Sequence, residues 1–162
     1  MRLTTRTNLA LRTLMFCAVN KDLLVRKQDA AKAVNASENH LAQVINKLAQ
    51  EGFITTLRGR HGGFHLARPA DCISVGAVFR TFESGLPFIE CFSDNNTCPL
   101  KLHCVMRPHL SRAVDAFYSA LDEVYLSELV NCNSGLEALL SISGPRVPAR
   151  CAGPLTPQLA AE

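Results

Sequence analysis

The stretch from Ser37 to Leu66, SENHLAQVINKLAQEGFITTLRGRHGGFHL, decides the fold. Its first half starts at Ser37, a preferred helix N-cap, and ends at Gly52, which tolerates the left-handed conformation found after many helices. Between these residues, four apolar side chains recur at helical spacing: Leu41, Val44, Ile45 and Leu48. We therefore predict a helix between Ser37 and Gly52 with one buried face.

The second half of this stretch has the pattern of a β-hairpin. Phe53–Leu57 and Phe64–Leu66 are short runs of β-prone residues. They flank the tip Arg58–Gly63, which is basic and rich in glycine. This order predicts two antiparallel strands joined by a basic tip.

Two further helices are predicted before this stretch. Apolar residues recur at helical spacing over Thr5–Val19, and a shorter helix is expected over Arg26–Val34, followed by the turn Asn35-Ala36. Helix, helix, turn, helix and hairpin form the order of a winged helix-turn-helix. We therefore predict a mainly α fold with a small β-hairpin, in which residues 1–70 form a DNA-binding domain.

The distribution of charge supports a nucleic-acid partner. The 162 residues have a formal net charge of +3, yet residues 1–68 hold 11 Lys and Arg against 4 Asp and Glu, and residues 69–162 hold 6 against 10. A basic part on a mildly acidic remainder is typical of a nucleic-acid-binding module attached to a second function. An unevenly charged, solvated surface is the alternative that charge alone leaves open.

The third helix and the hairpin tip carry the candidate DNA contacts. On the helix, the polar residues expected to meet base edges or phosphates are Ser37, Asn39, His40, Gln43, Asn46, Lys47 and Gln50. On the tip, the cationic candidates for phosphate or minor-groove contact are Arg58, Arg60 and His61. The glycines expected to allow close backbone approach are Gly59, Gly62 and Gly63.

Beyond residue 70 the pattern predicts two helices separated by a long loop. A short helix is expected over Ser74–Phe82, a loop over residues 84–105, and a long amphipathic helix from Pro108 to about Tyr125. The apolar stripe of the long helix consists of Leu110, Ala113, Val114, Phe117, Leu121 and Val124. Because DNA-binding proteins of this size commonly dimerise to match two half-sites, we favour a homodimer seam over packing within one chain.

The remaining boundaries follow from these elements. Residues 71–106 are assigned to a linker helix with a cluster-binding cysteine loop, and residues 107–142 to the dimerisation helix with a short capping helix. Residues 143–162 are predicted to be a disordered tail, since they contain four prolines.

Three of the seven cysteines lie in the loop with the spacing Cys91-x6-Cys98-x5-Cys104. Thiolates on one loop suit an iron–sulfur cluster, whereas a structural zinc site typically shows paired cysteine clips. Three unligated cysteines, or a metal-free thiol redox switch, are the alternatives. A cluster normally has four protein ligands, so a fourth must come from elsewhere. A weak fourth ligand would leave one iron open to a small molecule, as a sensor requires.

Further motifs extend over residues 1–140. They are Met1-Arg2-Leu3-Thr4, Ala10-Leu11-Arg12, Ser37-x-x-His40-Leu41, Val44-Ile45-Asn46-Lys47-Leu48, Arg58-Gly59-Arg60-His61-Gly62-Gly63, Glu90-Cys91, Cys98-Pro99-Leu100, Cys104, Phe117-Tyr118 and Leu121-Asp122. Together they resemble the winged-helix iron–sulfur transcriptional regulators, a family that includes NsrR, IscR and RirA. The cysteine spacing and the run from Phe117 to Asp122 look most like the NsrR type.

This resemblance implies a homodimeric repressor with a [4Fe–4S] or [2Fe–2S] cluster on Cys91, Cys98 and Cys104, which releases operator DNA when the cluster reacts with nitric oxide. An iron-responsive repressor of the RirA type is the alternative within the family. In some NsrR-type proteins an aspartate at the position of Asn8 supplies the fourth ligand from the partner subunit. Asparagine is a poorer ligand, so the alternatives to Asn8 include His103, Glu90, a small molecule and water.

Other protein classes fit the sequence less well. The longest apolar run near the N-terminus, Leu14–Val19, is far too short for a membrane span, and no signal-peptide pattern accompanies it. We therefore expect a cytoplasmic protein. We find no nucleophile–base pair, phosphate loop or paired carboxylates in a plausible cleft, which argues against an enzyme.

Overall fold

The computed structural model of the protein describes residues 4–60, 62–83, 90–93 and 95–142. The helices are α1 (Thr5–Val19), α2 (Lys27–Ala33), α3 (Glu38–Gln50), α4 (Val75–Glu83), α5 (Met106–Asp122), α6 (Leu126–Val130) and α7 (Ser134–Leu140). Strands β1 (Ile54–Leu57) and β2 (Gly63–Leu66) form an antiparallel hairpin, and short 3-10 helices cover Ala70–Cys72 and Glu90–Phe92. The predicted fold class, a mainly α winged helix-turn-helix, is confirmed.

Helix α3 begins and ends where its capping residues predict. The Ser37 hydroxyl accepts a hydrogen bond from the backbone N–H of His40 at 3.3 Å, and Gly52 has a left-handed φ of 71°. All four residues of the predicted apolar stripe are buried. Helix α1 matches its predicted range, whereas α2 is one residue shorter at each end than expected.

The hairpin, which forms the wing, is joined to the helices through Val25. Thr56 pairs with Phe64 across the two strands. Phe64 in turn exchanges two backbone hydrogen bonds of 2.9 Å with Val25, in the connection between α1 and α2. Both Val25 and Phe64 are buried, so this bridge fixes the wing against the helical core.

Helix α1 contributes to the centre of the hydrophobic core. Its residues Leu14 and Cys17 are almost completely buried, and the helix packs against α3, α4 and α6. Ile73, Val78 and Leu126 belong to the same core, although they lie beyond residue 70. Helix α4 is therefore anchored in the core that also supports α3.

The C-terminal helix α7 is attached to α1 by a buried asparagine. Asn20 Nδ2 donates hydrogen bonds of 2.8 Å to the carbonyl oxygens of Phe16 and Leu140, and its Oδ1 accepts one of 3.0 Å from the backbone N–H of Ile142. The one capping helix predicted within residues 107–142 is therefore two helices, α6 and α7, and the second of them closes back onto the end of α1.

Helix α5 starts and stops earlier than its apolar stripe predicts. It spans Met106–Asp122, and Val124 lies outside it. The Val124 carbonyl accepts a hydrogen bond from the backbone N–H of Val75 at 2.8 Å, and the Leu126 N–H donates to the Ile73 carbonyl at 2.9 Å. This backbone pairing with the segment before α4 replaces the last helical turn.

Parts of the predicted organisation fall on residues that are not described. The tail over residues 143–162 lies outside the described ranges, as do residues 84–89 and 94 of the cysteine loop. Within the described ranges, no helix combines the length and the apolar character needed to cross a membrane.

Candidate nucleic-acid interface and cysteine loop

The predicted DNA-contacting residues of α3 share one accessible face. Lys47 is half-buried, and the exposed members of this face are Ser37, Asn39, His40, Gln43, Asn46 and Gln50. Leu41 and Leu48 on the opposite side are fully buried. The polar face is therefore accessible to a major groove, which is wide enough to admit an α-helix.

Two charged neighbours orient side chains on this face. Lys47 Nζ lies 2.6 Å from Glu51 Oε1, so its charge is partly balanced within the helix. Arg6 Nη2, from α1, donates to Gln43 Oε1 at 3.4 Å. Because arginine has donors and no acceptor, this contact turns the amide oxygen of Gln43 toward Arg6. The sequence alone does not single out Arg6, since it reaches the face only through the packing of α1 on α3.

The wing presents two arginines next to α3. Arg58 and Arg60 are exposed at the hairpin tip, and the predicted contact His61 lies outside the described residues. A surface groove of about 270 Å³ separates the wing from α3, and its lining includes Lys27, Asn46 and Gly59. Helix and wing thus border one continuous concave surface.

At two glycines of the wing, neighbouring backbone atoms leave no room for a side chain. A Cβ on Gly63 would lie 2.5 Å from the Val25 carbonyl oxygen, and a Cβ on Gly62 would lie 2.9 Å from the Gly59 carbonyl oxygen. Gly59 has a φ of 119°, which disfavours a side chain there. The close contacts observed at these glycines lie within the chain. Their predicted close approach to DNA stays a prediction.

The three loop cysteines are free thiols on the segment between α4 and α5. Cys91 lies in the 3-10 helix Glu90–Phe92, and Cys91, Cys98 and Cys104 are all half-buried. Asn96 connects the first two, because its Oδ1 accepts from the backbone N–H of Cys98 at 2.9 Å and its Nδ2 donates to the Cys91 carbonyl at 3.4 Å. The sequence offers no signal for Asn96 beyond its position between two cysteines.

The donor set of this loop suits an iron–sulfur cluster chemically. Its three thiols are free, and thiolates are the usual protein ligands of such clusters. Among the described residues, no three His, Cys, Asp or Glu side chains lie close enough together to hold a metal ion.

Two cysteines outside the loop have different surroundings. Cys17 is buried in the core, and this burial raises the pKa of its thiol to about 12. Cys72 is exposed, and a hydrogen bond with Asp71 together with the charge of that carboxylate raises its pKa. Cys17 therefore matches the small buried hydrophobe that its helix position predicts.

The candidate fourth ligands lie at separate places. Asn8 is exposed on α1 and lines a surface groove of about 490 Å³ together with Arg12, Ser37 and His40. This groove adjoins the start of α3. His103 is exposed in the loop, and the side chain of Glu90 is outside the described set. The assignment of Asn8 as a ligand stays a prediction.

A carboxylate joins the segment before the cysteine loop to the start of α1. Glu83 Oε1 accepts hydrogen bonds of 3.0 Å from both the backbone N–H and the hydroxyl of Thr4, and a further short one from the hydroxyl of Thr7. Partial burial raises the pKa of Glu83, but the hydrogen bonds from Thr7 and Thr4 outweigh it and lower the pKa overall. The end of α4 is thereby attached to the N-cap of α1.

Most of the chain matches a known protein family. Residues 3–132 match the family Rrf2, described as an iron-dependent transcriptional regulator. The HTH-type transcriptional regulator NsrR of Geobacillus kaustophilus is 39% identical over 143 residues, which cover 86% of this chain and 97% of that protein. Protein aau3 of Rhizobium meliloti is 36% identical over 146 residues, covering 90% of this chain and 95% of its own length.

A solved structure shares the fold. The oxidised form of CymR from Staphylococcus aureus superposes with a TM-score of 0.61 at 27% identity, covering 80% of this chain and 96% of that one. The resemblance to an NsrR-type winged-helix regulator is thus confirmed, and a regulator rather than an enzyme is the class that the relatives support. By sequence and by fold, the chain belongs to the Rrf2 family of transcriptional regulators.

Proposed function

We propose that the protein is a homodimeric repressor that binds operator DNA through α3 and the wing, and that releases it when an iron–sulfur cluster held by Cys91, Cys98 and Cys104 reacts with nitric oxide. The observation that carries this proposal is the set of three free, half-buried thiols on the loop before α5. Membership of the Rrf2 family and 39% identity to a protein named NsrR support it.

The DNA-binding step uses two kinds of contact. Amide and imidazole groups on α3, such as Asn39, His40 and Gln43, are exposed and can bond to base edges in a major groove. Arg58 and Arg60 on the wing contact phosphates, which hold the protein in register without reading sequence. The groove between wing and α3 gives the duplex backbone a place to lie between the two elements.

The dimerisation step uses the surface around α5. None of the described side chains of Met106–Asp122 is buried within one chain. Large apolar side chains are also exposed just before and at the start of this helix, at Leu100, Leu102, Val105 and Met106. An amphipathic helix whose large apolar side chains are only half-buried, next to exposed apolar loop residues, is favourable for association with a second copy of the chain.

The sensing step depends on what the loop thiols hold. The three loop thiols and a weak fourth ligand would hold an iron–sulfur cluster, which would supply a centre able to react with nitric oxide. The chain contributes Cys91, Cys98 and Cys104, and Asn8 of the partner subunit is the proposed fourth donor. Holding the loop closed keeps the start of α5 in place, and opening it lowers the population that matches two half-sites.

Two other signals have specific support. The family description, an iron-dependent regulator, favours an iron-responsive repressor of the RirA type that senses cluster loss. The likeness to a structure described as an oxidised form of CymR favours a metal-free thiol redox switch on the same loop. Both alternatives keep the same DNA-binding surface.

One experiment separates these functions. Anaerobically purified protein selects its DNA from a random duplex library, and the selected duplex is then used while nitric oxide is titrated and cluster absorbance is followed. Coincident loss of absorbance and binding at a few equivalents per cluster supports the proposal. Indifference to nitric oxide with loss of binding on iron chelation supports the RirA type. A colourless protein whose binding responds only to a thiol oxidant supports the metal-free switch.

A further inference from the structure

The contact between α4 and α5 is built around Arg80. Its Nη1 forms a short ion pair with Asp122 Oδ1. The same guanidinium lies over the ring of Tyr118, 4.7 Å from its centroid. One side chain of α4 therefore holds two residues of α5 that are one helical turn apart.

Packing around this ion pair leaves little freedom. A Cβ on Gly76 would lie 2.8 Å from the backbone nitrogen of Asp122, so the two helices approach closely there. Phe79 meets Phe117 edge to face at 6.0 Å between ring centroids. These contacts all involve the C-terminal end of α5.

The remainder of α5 extends away from this junction. Met106 lies 16 residues before Asp122, which corresponds to about 24 Å along a helix at 1.5 Å per residue. A tilt of about 10° at the junction would move the far end by roughly 4 Å, which exceeds the 3.4 Å rise between base pairs. A small change in this angle therefore displaces the far end of α5 by more than one base-pair step.

The other side of the junction belongs to the DNA-reading part of the chain. Val78 and Phe79 of α4 are buried, α4 packs on α1, and α1 packs on α3. The side chains of Arg80 and Asp122 remain 46% and 40% exposed, and ion pairs this accessible add little to folding stability. The pair thus joins α5 to a helix that is connected to α3 through α1.

We propose that Arg80 is a positioning residue for operator binding. Through its contacts with Asp122 and Tyr118, it sets the angle between α5 and the reading helix α3. That angle determines which spacing between two half-sites the dimer accepts. This inference rests on the proposed homodimeric repressor. It assigns a role to the Phe117-Tyr118 and Leu121-Asp122 motifs, which neither DNA reading nor cluster binding explains.

The test uses anaerobically purified full-length protein and the duplex it selects, remade with the central spacer changed by one or two base pairs in either direction, and a single half-site duplex. Arg80→Met removes the charge and keeps the aliphatic stem, Arg80→Lys restores the ion pair, and Lys21→Met is a control that removes an exposed cation elsewhere. Thermal unfolding of each variant reports on folding.

The expected result is a loss of spacing preference without a loss of half-site reading. The wild-type protein should prefer one spacer by about tenfold or more, and Arg80→Met should reduce that preference to within about threefold, with single half-site affinity unchanged within about twofold. Arg80→Lys should recover most of the preference, and Lys21→Met should retain all of it.

Two results would contradict these ideas at different levels. If the wild-type protein bound single and double half-sites equally well, the homodimeric repressor itself would be wrong. If the wild-type protein discriminated between spacers and Arg80→Met discriminated equally well, the positioning role of Arg80 would be wrong while the repressor function stood.

Discussion

Glu83 and Thr4 are 79 positions apart in the chain and are joined by two hydrogen bonds of 3.0 Å, from the Thr4 backbone N–H and from its hydroxyl to Glu83 Oε1. Thr4 is also the N-cap of α1, since its hydroxyl accepts from the backbone N–H of Thr7 at 3.3 Å. The residue that precedes the cysteine loop thus supports the helix on which α3 packs.

This link makes stability depend on pH in a defined direction. Folding lowers the pKa of Glu83 from its ordinary value of 4.5. The ionised carboxylate therefore stabilises the folded protein fully at pH values above 4.5, and this stabilisation is lost as the pH falls through the lowered pKa. Glu83→Gln should lower the free energy of unfolding by about 1 kcal/mol at pH 7, and by less in strongly acidic solution. Urea unfolding of the wild-type protein and the variant, at neutral pH and in strongly acidic solution, measures the loss of unfolding free energy under each condition. Equal losses at both would contradict the prediction, and Glu123→Gln is the control.

The buried thiol of Cys17 should be chemically inert in the folded protein. With a pKa of about 12 its thiolate is scarce near pH 8, whereas Cys91, Cys98 and Cys104 are half-buried and free. Iodoacetamide on cluster-free folded protein, followed by peptide mass spectrometry, should label the loop thiols and spare Cys17. Labelling of Cys17 should appear in urea. Comparable labelling of all four in the folded state would show that Cys17 is not shielded.

Removing one loop thiol should abolish cluster and operator binding together. We expect Cys98→Ala to lack the visible absorbance of the anaerobic wild-type protein and to fall to non-specific affinity, because the remaining ligands are too few. Absorbance spectra and DNA binding measure the two effects. Cys72→Ala, which removes an exposed thiol outside the loop, should change neither. Specific binding by colourless Cys98→Ala protein would argue that the loop is not the switch.

Wing and reading helix should fail in different ways. Arg60→Ala should weaken binding to every DNA sequence and reduce the salt slope by about 1, whereas Gln43→Ala should relax base preference at one position by about 1–3 kcal/mol. Arg6→Met should reproduce part of the Gln43 effect, because Arg6 orients that amide. Binding across a salt series and a base-substitution series measures both. Identical behaviour of the Arg60 and Gln43 variants would contradict the separate roles of the wing in phosphate contact and of α3 in base reading.

A single methyl group at Gly63 should disturb the wing. The new Cβ of Gly63→Ala would lie 2.5 Å from the Val25 carbonyl oxygen, so the bridge between Val25 and Phe64 must shift. We expect a loss of about 1–3 kcal/mol in unfolding free energy. Gly135→Ala is the matched control, because its Cβ would meet nothing nearer than 3.8 Å and alanine favours a helix. Equal stability of the two variants in denaturant titrations would contradict this account.

Local signals in the sequence were sufficient for the DNA-reading half of the protein. Helix α1 and helix α3 have the predicted bounds, because hydrophobic periodicity and the capping residues Ser37 and Gly52 act within a few positions of each helix end. The hairpin follows from two β-prone runs around a glycine-rich tip. The motifs along residues 1–140 were also sufficient to identify the family.

The sequence by itself therefore determined the winged helix-turn-helix, the exposed face of α3 and the set of loop thiols. Only the tertiary structure decided that α5 ends at Asp122, that Arg80 holds it against α4, and that Glu83 supports Thr4. Arg80 and Asp122 are 42 positions apart, so no local periodicity records their contact. Such pairs depend on how helices pack, which is settled by the whole core and not by any one segment.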